Sequence, residues 1–152
     1  MPDHPFRKSI RLPPWSYERQ DSTFHVTLRA LPGKAPFRDA VADALWRATL
    51  NEVDRDSVFL VVACMMPDHM HFMVRPQAST LVEWVDSFKG YATYLHRKHT
   101  TLPFLWQPGF YDREIRSSRE YEAVWNYIVR NPVEASFVEE PEDWPYLYAA
   151  PE

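Results

Sequence analysis

Residues 57–74 combine an apolar strand, a proline turn and an alternating strand, and this limits the folds that are open to the chain. The segment Ser57–Cys64 (SVFLVVAC) is a nearly continuous apolar run, which is typical of a central strand buried on both faces. Met66-Pro67-Asp68 predicts a turn. The segment His69–Val74 then alternates in the manner of a further strand. The pattern therefore predicts two consecutive strands inside a sheet.

Two more strands and three amphipathic helices are predicted around this pair. The strands are Ser22–Ala30, with Phe24, Val26 and Leu28 on one face, and Phe110–Ile115. The first helix covers residues 36–51, and the second starts at the capping box Thr80-x-x-Glu83 and ends near His99. The third starts at Ser117-x-x-Glu120 with the apolar stripe Tyr121, Val124, Trp125 and Ile128. It should end before Pro132, because a proline disfavours helical backbone in the preceding residue.

The resulting order, β-α-β-β-α-β-α, predicts an α+β fold. A ferredoxin-like split β-α-β arrangement, with four antiparallel strands and two helices on one face, is the economical way to bury these stripes. An additional C-terminal helix then lies beside this core or across the sheet. We expect residues 1–152 to form a single domain. Within it, residues 1–20 form an irregular N-terminal arm and residues 132–152 an acidic tail.

Composition excludes several classes of protein. With three glycines, the chain has neither a Walker A loop nor a G-x-G-x-x-G loop. Its single cysteine, Cys64, excludes an internal disulfide framework and a multi-cysteine zinc site. The first residues are polar and interrupted by proline, and no apolar run approaches the roughly 18 residues that span a bilayer. We therefore expect a soluble, cytoplasmic protein with no membrane partner.

The net charge of −4 is unevenly distributed. Residues 132–152 hold six acidic residues and no Lys or Arg, which leaves 17 basic against 15 acidic residues in 1–131. The basic residues cluster near the N-terminus and around residues 113–119. Because binding to nucleic acid depends on local neutralisation of phosphates, the acidic tail does not exclude it.

His69-Met70-His71 places two imidazoles two residues apart on a predicted strand. Residues i and i+2 of a strand point to the same side, so both rings can converge on one divalent metal, with Asp68 supporting an imidazole. Met70 and Phe72 would then face the core. A third ligand must come from elsewhere in the chain. The same pattern is also compatible with two histidines at the surface or the edge of the core.

Tyr127 and Asn131 lie one turn apart on the third predicted helix, away from its apolar stripe. A hydroxyl and a carboxamide could therefore address one point, and the amide oxygen suits Mg²⁺ or Mn²⁺. The alternative is structural: Tyr127 is a boundary aromatic residue and Asn131 is a C-cap before Pro132.

Several motifs in this order resemble those of a known family. Met66–Phe72 (MPDHMHF) resembles the HUH motif (His, hydrophobic, His) of single-tyrosine transposases that act on single-stranded DNA. Three further segments resemble the branch called REP-associated tyrosine transposases: Leu105–Tyr111 (LWQPGFY) with Arg113, Asn126–Val133 (NYIVRNPV), and Glu142–Tyr146 (EDWPY). The similarity runs from about Ser22 to Tyr148.

The resemblance implies a ferredoxin-like fold with the nucleophilic Tyr127 on a flanking helix. It implies that His69, His71 and Asn131 hold a divalent metal, Mg²⁺ or Mn²⁺. The implied substrate is single-stranded DNA at hairpins of repetitive extragenic palindromes (REP), cleaved and rejoined through a 5′-phosphotyrosine. Two departures, Asp68 where Asn is common and Glu134-Ala135-Ser136 where Arg-Ala-Gly is usual, leave DNA affinity and target sequence open.

Basic side chains are the candidate DNA contacts, and the protein is expected to act as a monomer or homodimer. The candidates are Arg7, Lys8 and Arg11 in the arm, and Lys89, Arg97, Lys98, Arg113, Arg116 and Arg119 in the domain, with Trp106, Phe110 and Tyr111 available to stack on bases. Two alternatives stay open. One is a catalytically silent protein that binds hairpins, and the other is a phosphodiesterase that uses water. Tyr91 and Tyr94 are fallback nucleophiles.

Overall fold

The computed structural model describes residues 22–99 and 106–151. The predicted arm, with Arg7, Lys8 and Arg11, lies outside this part of the chain. The strands are β1 (Thr23–Arg29), β2 (Val58–Met66), β3 (His69–Pro76), β4 (Tyr111–Ile115) and β5 (Leu147–Ala149), and the helices are α1 (Asp39–Asn51), α2 (Leu81–His99) and α3 (Ser118–Glu134). Within the described ranges, no helix combines the length and the apolar character that crossing a bilayer requires.

The five strands form one antiparallel sheet in the order β4-β1-β3-β2-β5. The first four strands have the predicted split β-α-β topology, so the ferredoxin-like α+β prediction is confirmed. The β2–β3 pair occupies the interior of the sheet, as its apolar sequence predicts, and a tight turn at Pro67-Asp68 connects the two strands.

One face of the sheet carries the larger core. Phe24, Val26 and Leu28 of β1 and Met70 and Phe72 of β3 are fully buried on this face. The apolar stripes of α1 and α2 cover them, and Phe72 packs against both Trp84 and Phe88 of α2. The strand alternation therefore assigns the intervening residues of β1 and β3 to the opposite face.

Helix α3 covers that opposite face. The C-terminal helix therefore lies across the sheet and not beside the first core, which are the two positions that the sequence leaves open. Val124 and Ile128 of α3 pack against Val62, Cys64 and Met73 of the sheet in a second, smaller apolar cluster. A sheet covered on both faces explains why polar side chains of β1 and β3 that point away from the first core are nevertheless buried.

The predicted end of α3 is wrong, because the helix passes through Pro132 and ends at Glu134. The proline has no N–H for the carbonyl of Ile128, but it lies within the last turn, so few further bonds depend on it. The N–H groups of Ala135 and Phe137 donate to the carbonyls of Asn131 and Pro132, both at 3.0 Å. Pro132 is also buried and extends the apolar stripe, which compensates for the lost bond.

The C-terminal segment adds a fifth strand that the sequence analysis does not predict. β5 pairs with the edge of β2, from Leu147 opposite Cys64 to Ala149 opposite Val62. The backbone of Met65 is held twice, because its N–H donates to the carbonyl of Tyr146 at 2.9 Å and its carbonyl accepts from the Trp144 indole at 3.0 Å. A three-residue strand is too short to show a clear alternation in the sequence.

Candidate active site

His69 and His71 project from β3 toward α3. Their ring centroids are 4.9 Å apart and their planes are nearly perpendicular. His71 is fully buried, and the side chain of His69 is 14% exposed. Met70 and Phe72 point into the larger core, as predicted. The two imidazoles therefore form one cluster between the sheet and the helix.

The Nδ1 atom of His69 is engaged by the preceding residue. It donates to Oδ1 of Asp68 at 2.7 Å, which is the support that the sequence predicts. The hydrogen bond with His69 holds the pKa of Asp68 below its usual value of 3.8, against the opposing effect of burial. With Nδ1 occupied, Nε2 is the nitrogen that His69 can offer to a ligand.

The Nδ1 atom of His71 is engaged by two residues of β1 that the sequence analysis missed. His25 Nε2 lies 3.1 Å from it and Thr27 Oγ1 lies 3.2 Å from it, and all three side chains are fully buried. The signal for them is the alternation of β1, in which His25 and Thr27 separate Phe24, Val26 and Leu28. This alternation predicts the burial of His25 and Thr27 only once α3 is known to cover the polar face of the sheet.

Tyr127 completes the cluster from the side of the helix. Its ring centroid lies 5.4 Å from that of His71 and 6.2 Å from that of His25, in edge-on geometries. Tyr127 is half-buried and packs against the smaller apolar cluster, so the prediction that it lies away from the packing face is wrong. The buried stripe is narrower than predicted, since Val124 and Ile128 are buried while Tyr121 and Trp125 are only partly so.

Asn131 lies one turn beyond Tyr127. Both residues line a depression of about 540 Å³ on the surface of α3, together with Arg130 and Glu134. Asn131 is not a C-cap, because the helix is capped by Ala135. The C-cap alternative for Asn131 is therefore excluded.

The side chains present suit a hard or borderline divalent cation. Both histidines have Nδ1 engaged and can offer Nε2, and the amide oxygen of Asn131 is a suitable third donor. In the described part of the chain, no group of three or more His, Cys, Asp or Glu side chains could hold a metal ion. Within residues 22–99 and 106–151, a third protein ligand would have to be another residue type, and Asn131 is the sequence-predicted one.

Among the candidate DNA contacts, the three arginines near the start of α3 lie on or beside its face of the sheet. Arg113 is opposite His25 in the β1–β4 ladder, and its guanidinium donates to Glu120. Arg116 is exposed and contacts Glu114 at 3.2 Å, and Arg119 is exposed in the first turn of α3.

The candidates on α2 lie on the other face of the sheet, away from Tyr127. Lys89 is held there by the segment before β4, because its ammonium donates to the carbonyls of Gln107 at 3.0 Å and Gly109 at 2.7 Å. Exposed residues of the same helix include Arg97 and Lys98 and the fallback nucleophiles Tyr91 and Tyr94. Of the candidate stacking residues, Phe110 and Tyr111 are buried and Trp106 is half-buried.

A groove of about 960 Å³ runs between α3 and the end of the sheet. Arg75 and Phe59 lie on its floor, where the guanidinium lies 5.4 Å from the centroid of the ring. Arg116 and Trp125 line its side. Asn126 lines both this groove and the depression that contains Tyr127, so the two are adjacent.

Comparisons with known proteins show the family of this chain. The protein-family model described as "Transposase IS200 like" matches residues 19–131. A REP-associated tyrosine transposase of Escherichia coli (strain K12) is 32% identical over 104 residues, which is 66% of this chain and 60% of that protein. A second relative, from Haemophilus influenzae, is 29% identical over 103 residues, covering 57% of this chain and 56% of that protein. The matched segments thus span less than two thirds of both curated relatives.

The fold has a counterpart among solved structures. A REP-associated tyrosine transposase bound to a REP hairpin superimposes with a TM-score of 0.68 at 21% identity, covering 93% of this chain and 82% of that one. This likeness concerns the fold. The family match extends over most of the chain and includes the histidine pair, Tyr127 and Asn131. The chain therefore belongs to the IS200-like transposase family.

Proposed function

We propose that this protein cleaves and rejoins single-stranded DNA at palindromic, REP-like hairpins through a 5′-phosphotyrosine at Tyr127, with Mg²⁺ or Mn²⁺ as cofactor. The observation that carries the proposal is the edge-on approach of the Tyr127 ring to His71, at 5.4 Å. A phenol from one helix and an imidazole pair from one strand meet there although they are remote in the sequence. The hairpin substrate is suggested by the relative that was solved bound to a REP hairpin.

In this reaction the phenolic oxygen of Tyr127 attacks the scissile phosphorus. A bond between the tyrosine oxygen and phosphorus forms, the bond to the 3′-oxygen breaks, the phenol loses its proton and the 3′-oxygen leaves as a hydroxyl. Because the phosphodiester energy stays in the protein–DNA bond, a second 3′-hydroxyl can reverse the step and join strands without ATP. His69, His71 and Asn131 would hold the metal, which when bound supplies Lewis-acid polarisation of the phosphate oxygens.

The groove beside α3 is the proposed path of the unpaired strand. It adjoins the depression of Tyr127 at Asn126, and its lining includes Arg116, Trp125 and the contacting pair Arg75 and Phe59. Arginines that track the phosphates and aromatic faces that stack on bases are the usual components of a single-strand binding site. This path would lead the strand along α3, on the face of the sheet that carries the histidines.

The test is covalent capture of the DNA. The protein is incubated with Mn²⁺ and a hairpin oligonucleotide that has a single-stranded 5′ extension and a label at its 3′ end. The label then stays on the fragment that carries the 5′-phosphotyrosine. We expect a labelled adduct that survives denaturing electrophoresis and disappears in Tyr127→Phe.

Tyr121→Phe is the matched control, because Tyr121 is a half-buried tyrosine of the same helix that lines the groove, and the variant removes only its hydroxyl and keeps the ring. This variant should form the adduct. Tyr91→Phe and Tyr94→Phe should also form it, since both residues are on the opposite side of the sheet. Tight hairpin binding without an adduct or cleavage would instead identify a silent binding protein. Cleavage that persists in Tyr127→Phe without an adduct would identify a hydrolase that uses water.

A further inference from the structure

We infer that His25 and Thr27 are positioning residues that fix the tautomer of His71. Both contact its Nδ1 atom, at 3.1 Å and 3.2 Å. Imidazole nitrogens and hydroxyls can donate or accept, and in the inferred arrangement Nδ1–H of His71 donates to both partners, which leaves the lone pair of His71 on Nε2. The inference deepens the proposed function and rests on it for its purpose, although the tautomer itself can be measured without DNA or metal.

The register of the sheet brings the three side chains together. Thr27 is directly opposite His71 in the β1–β3 ladder, and His25 is opposite Met73, two residues further along β3. Direct and diagonal neighbours on one face of a sheet are within reach of each other's side chains. Both β1 residues therefore approach the same edge of the His71 ring, the edge that carries Nδ1.

Burial strengthens the influence of this contact on the imidazole of His71. His25, Thr27 and His71 are each 0% exposed, so bulk water cannot supply alternative partners. A neutral imidazole has one N–H and one lone pair, and the hydrogen bond at one nitrogen determines which nitrogen can bind a metal. If Nδ1–H donates to His25 Nε2 and Thr27 Oγ1, the lone pair is left on Nε2.

His69 gives an independent parallel within the same cluster. Its Nδ1 donates to the carboxylate of Asp68 at 2.7 Å, so its lone pair also lies on Nε2. Two different sets of partners thus act on the same atom in both histidines: a carboxylate for His69, and a second imidazole with a hydroxyl for His71. A cluster that served only to join β1 to β3 would have no reason to favour one tautomer of His71.

The first measurement is the tautomer of His71 in the metal-free, full-length protein. Long-range ¹H–¹⁵N correlation spectra distinguish a protonated from an unprotonated ring nitrogen, and His71→Gln assigns the signals. We expect Nδ1 protonated and Nε2 unprotonated in the wild type. The double variant His25→Leu/Thr27→Val should give a mixture with Nε2–H. A wild-type His71 protonated on Nε2 would overturn the inference, as would a variant with an unchanged tautomer.

The second measurement is Mn²⁺ affinity, followed by the electron paramagnetic resonance signal of the free ion. Loss of residues that orient a metal ligand typically weakens binding roughly 10- to 100-fold, and we expect this for the double variant. The single variant His25→Gln keeps Thr27 and has an amide that can contact Nδ1 of His71, so it should retain most of the wild-type affinity for Mn²⁺. An affinity of the double variant within about twofold of the wild type would contradict the positioning role. A tenfold change in affinity corresponds to about 1.4 kcal/mol of binding free energy.

Thr49→Val is the matched control for folding. Thr49 is also fully buried, but it lies on α1 and donates to the carbonyl of Leu45 at 2.9 Å, remote from the histidines. It should lower thermal stability without changing the tautomer of His71 or the Mn²⁺ affinity. The two proposals can fail separately. A correct tautomer without a DNA adduct would sink the transposase chemistry alone, and an adduct with the opposite tautomer would sink the positioning role alone.

Discussion

Cys64 is close to the histidine cluster but is chemically isolated. It is opposite His71 in the β2–β3 ladder and is fully buried. Burial raises the pKa of its thiol to about 12, from an ordinary value of 9.0. Because the thiolate is the reactive form, the thiol should be inert in the folded protein although it is the only cysteine of the chain.

This isolation can be tested with a thiol reagent. At about pH 8, near the usual pKa of a free thiol, Cys64 should react with a disulfide reagent only as fast as the protein unfolds. Adding denaturant should expose the thiol, so that one equivalent reacts at once. The absorbance of the thiolate that the reagent releases gives the rate of the reaction. Rapid, complete labelling of the native protein would contradict the burial of this residue.

Arg116 is the arginine best placed to test the proposed path of the DNA. It is exposed, lines the groove beside α3 and does not belong to the histidine cluster. Arg116→Ala should weaken binding of a labelled single strand to a similar degree for all sequences. It should also lower the slope of log affinity against log salt by about one, which fluorescence anisotropy can measure.

Arg47→Ala is the matched control, because Arg47 is exposed on α1, on the other face of the sheet. It should leave both the affinity and the salt slope unchanged. Equal losses in the two variants would show that the strand does not follow the groove.

At the level of the element, α3 depends on how its first turn is held. The Ser117 hydroxyl accepts from the N–H of Glu120 at 3.0 Å, and the Glu120 carboxylate accepts from the N–H of Arg116 at 2.8 Å. The same carboxylate also receives the guanidinium of Arg113. This cap therefore joins the start of α3 to β4, and so helps to fix the helix that carries Tyr127.

Ser117→Ala should lower the free energy of unfolding by about 1 kcal/mol, the usual cost of losing an N-cap side chain. Chemical denaturation followed by circular dichroism gives the value. Ser118→Ala, the next residue along the helix, should cost less because it is not the N-cap. Equal costs for the two variants would contradict the capping role.

Glu120 should make this cap sensitive to acid. Burial raises the pKa of Glu120, but the hydrogen bonds from Arg113 and from the backbone of Arg116 outweigh it and hold the pKa below 4.5. A group whose pKa is lower in the folded state contributes stability above its unfolded pKa, and this contribution is lost as the pH falls through the folded value.

Glu120→Gln should lower the free energy of unfolding most near neutral pH. The difference from the wild type should shrink as the pH falls below about 4.5, the ordinary pKa of this carboxyl group. Denaturation midpoints measured across this range give the difference. A difference that does not change with pH would show that the carboxylate is not stabilised by the arginines.

The elements also show what the sequence can and cannot predict. The β1 alternation and the apolar run of β2 are local patterns, and they suffice to define the four-stranded core. The burial of His25 and Thr27 depends on α3, which is almost a hundred positions further along the chain. The passage of α3 through Pro132 likewise depends on tertiary packing. Burial of the proline ring outweighs the local preference of proline to end a helix.

At the level of the whole molecule, the sheet separates two tasks. One face, covered by α1 and α2, holds the larger apolar core. The other face, covered by α3, holds a smaller apolar cluster with the histidines and Tyr127 at its border. Histidines on an interior strand and a tyrosine on a covering helix keep the imidazoles and the phenol in fixed relative positions.

This arrangement explains which part of the site was visible in the sequence. The pair His69 and His71, and the pair Tyr127 and Asn131, each follow from the spacing within a single element. The approach of Tyr127 to His71 could be expected only from the resemblance to a family, because no local pattern relates a strand to a helix more than fifty residues away. The supporting residues of β1 belong to no motif and required the structure.

We propose above that the phenol of Tyr127 becomes bonded to DNA. The most direct test is mass spectrometry of the trapped complex after nuclease digestion and trypsin. Cleavage after Arg119 and Arg130 should release residues 120–130 (EYEAVWNYIVR), which contain both Tyr121 and Tyr127. We predict a nucleotide phosphate on this peptide, with fragment ions that assign it to Tyr127. Assignment to Tyr121, to a tyrosine of α2, or strand cleavage without any modified peptide would contradict the account.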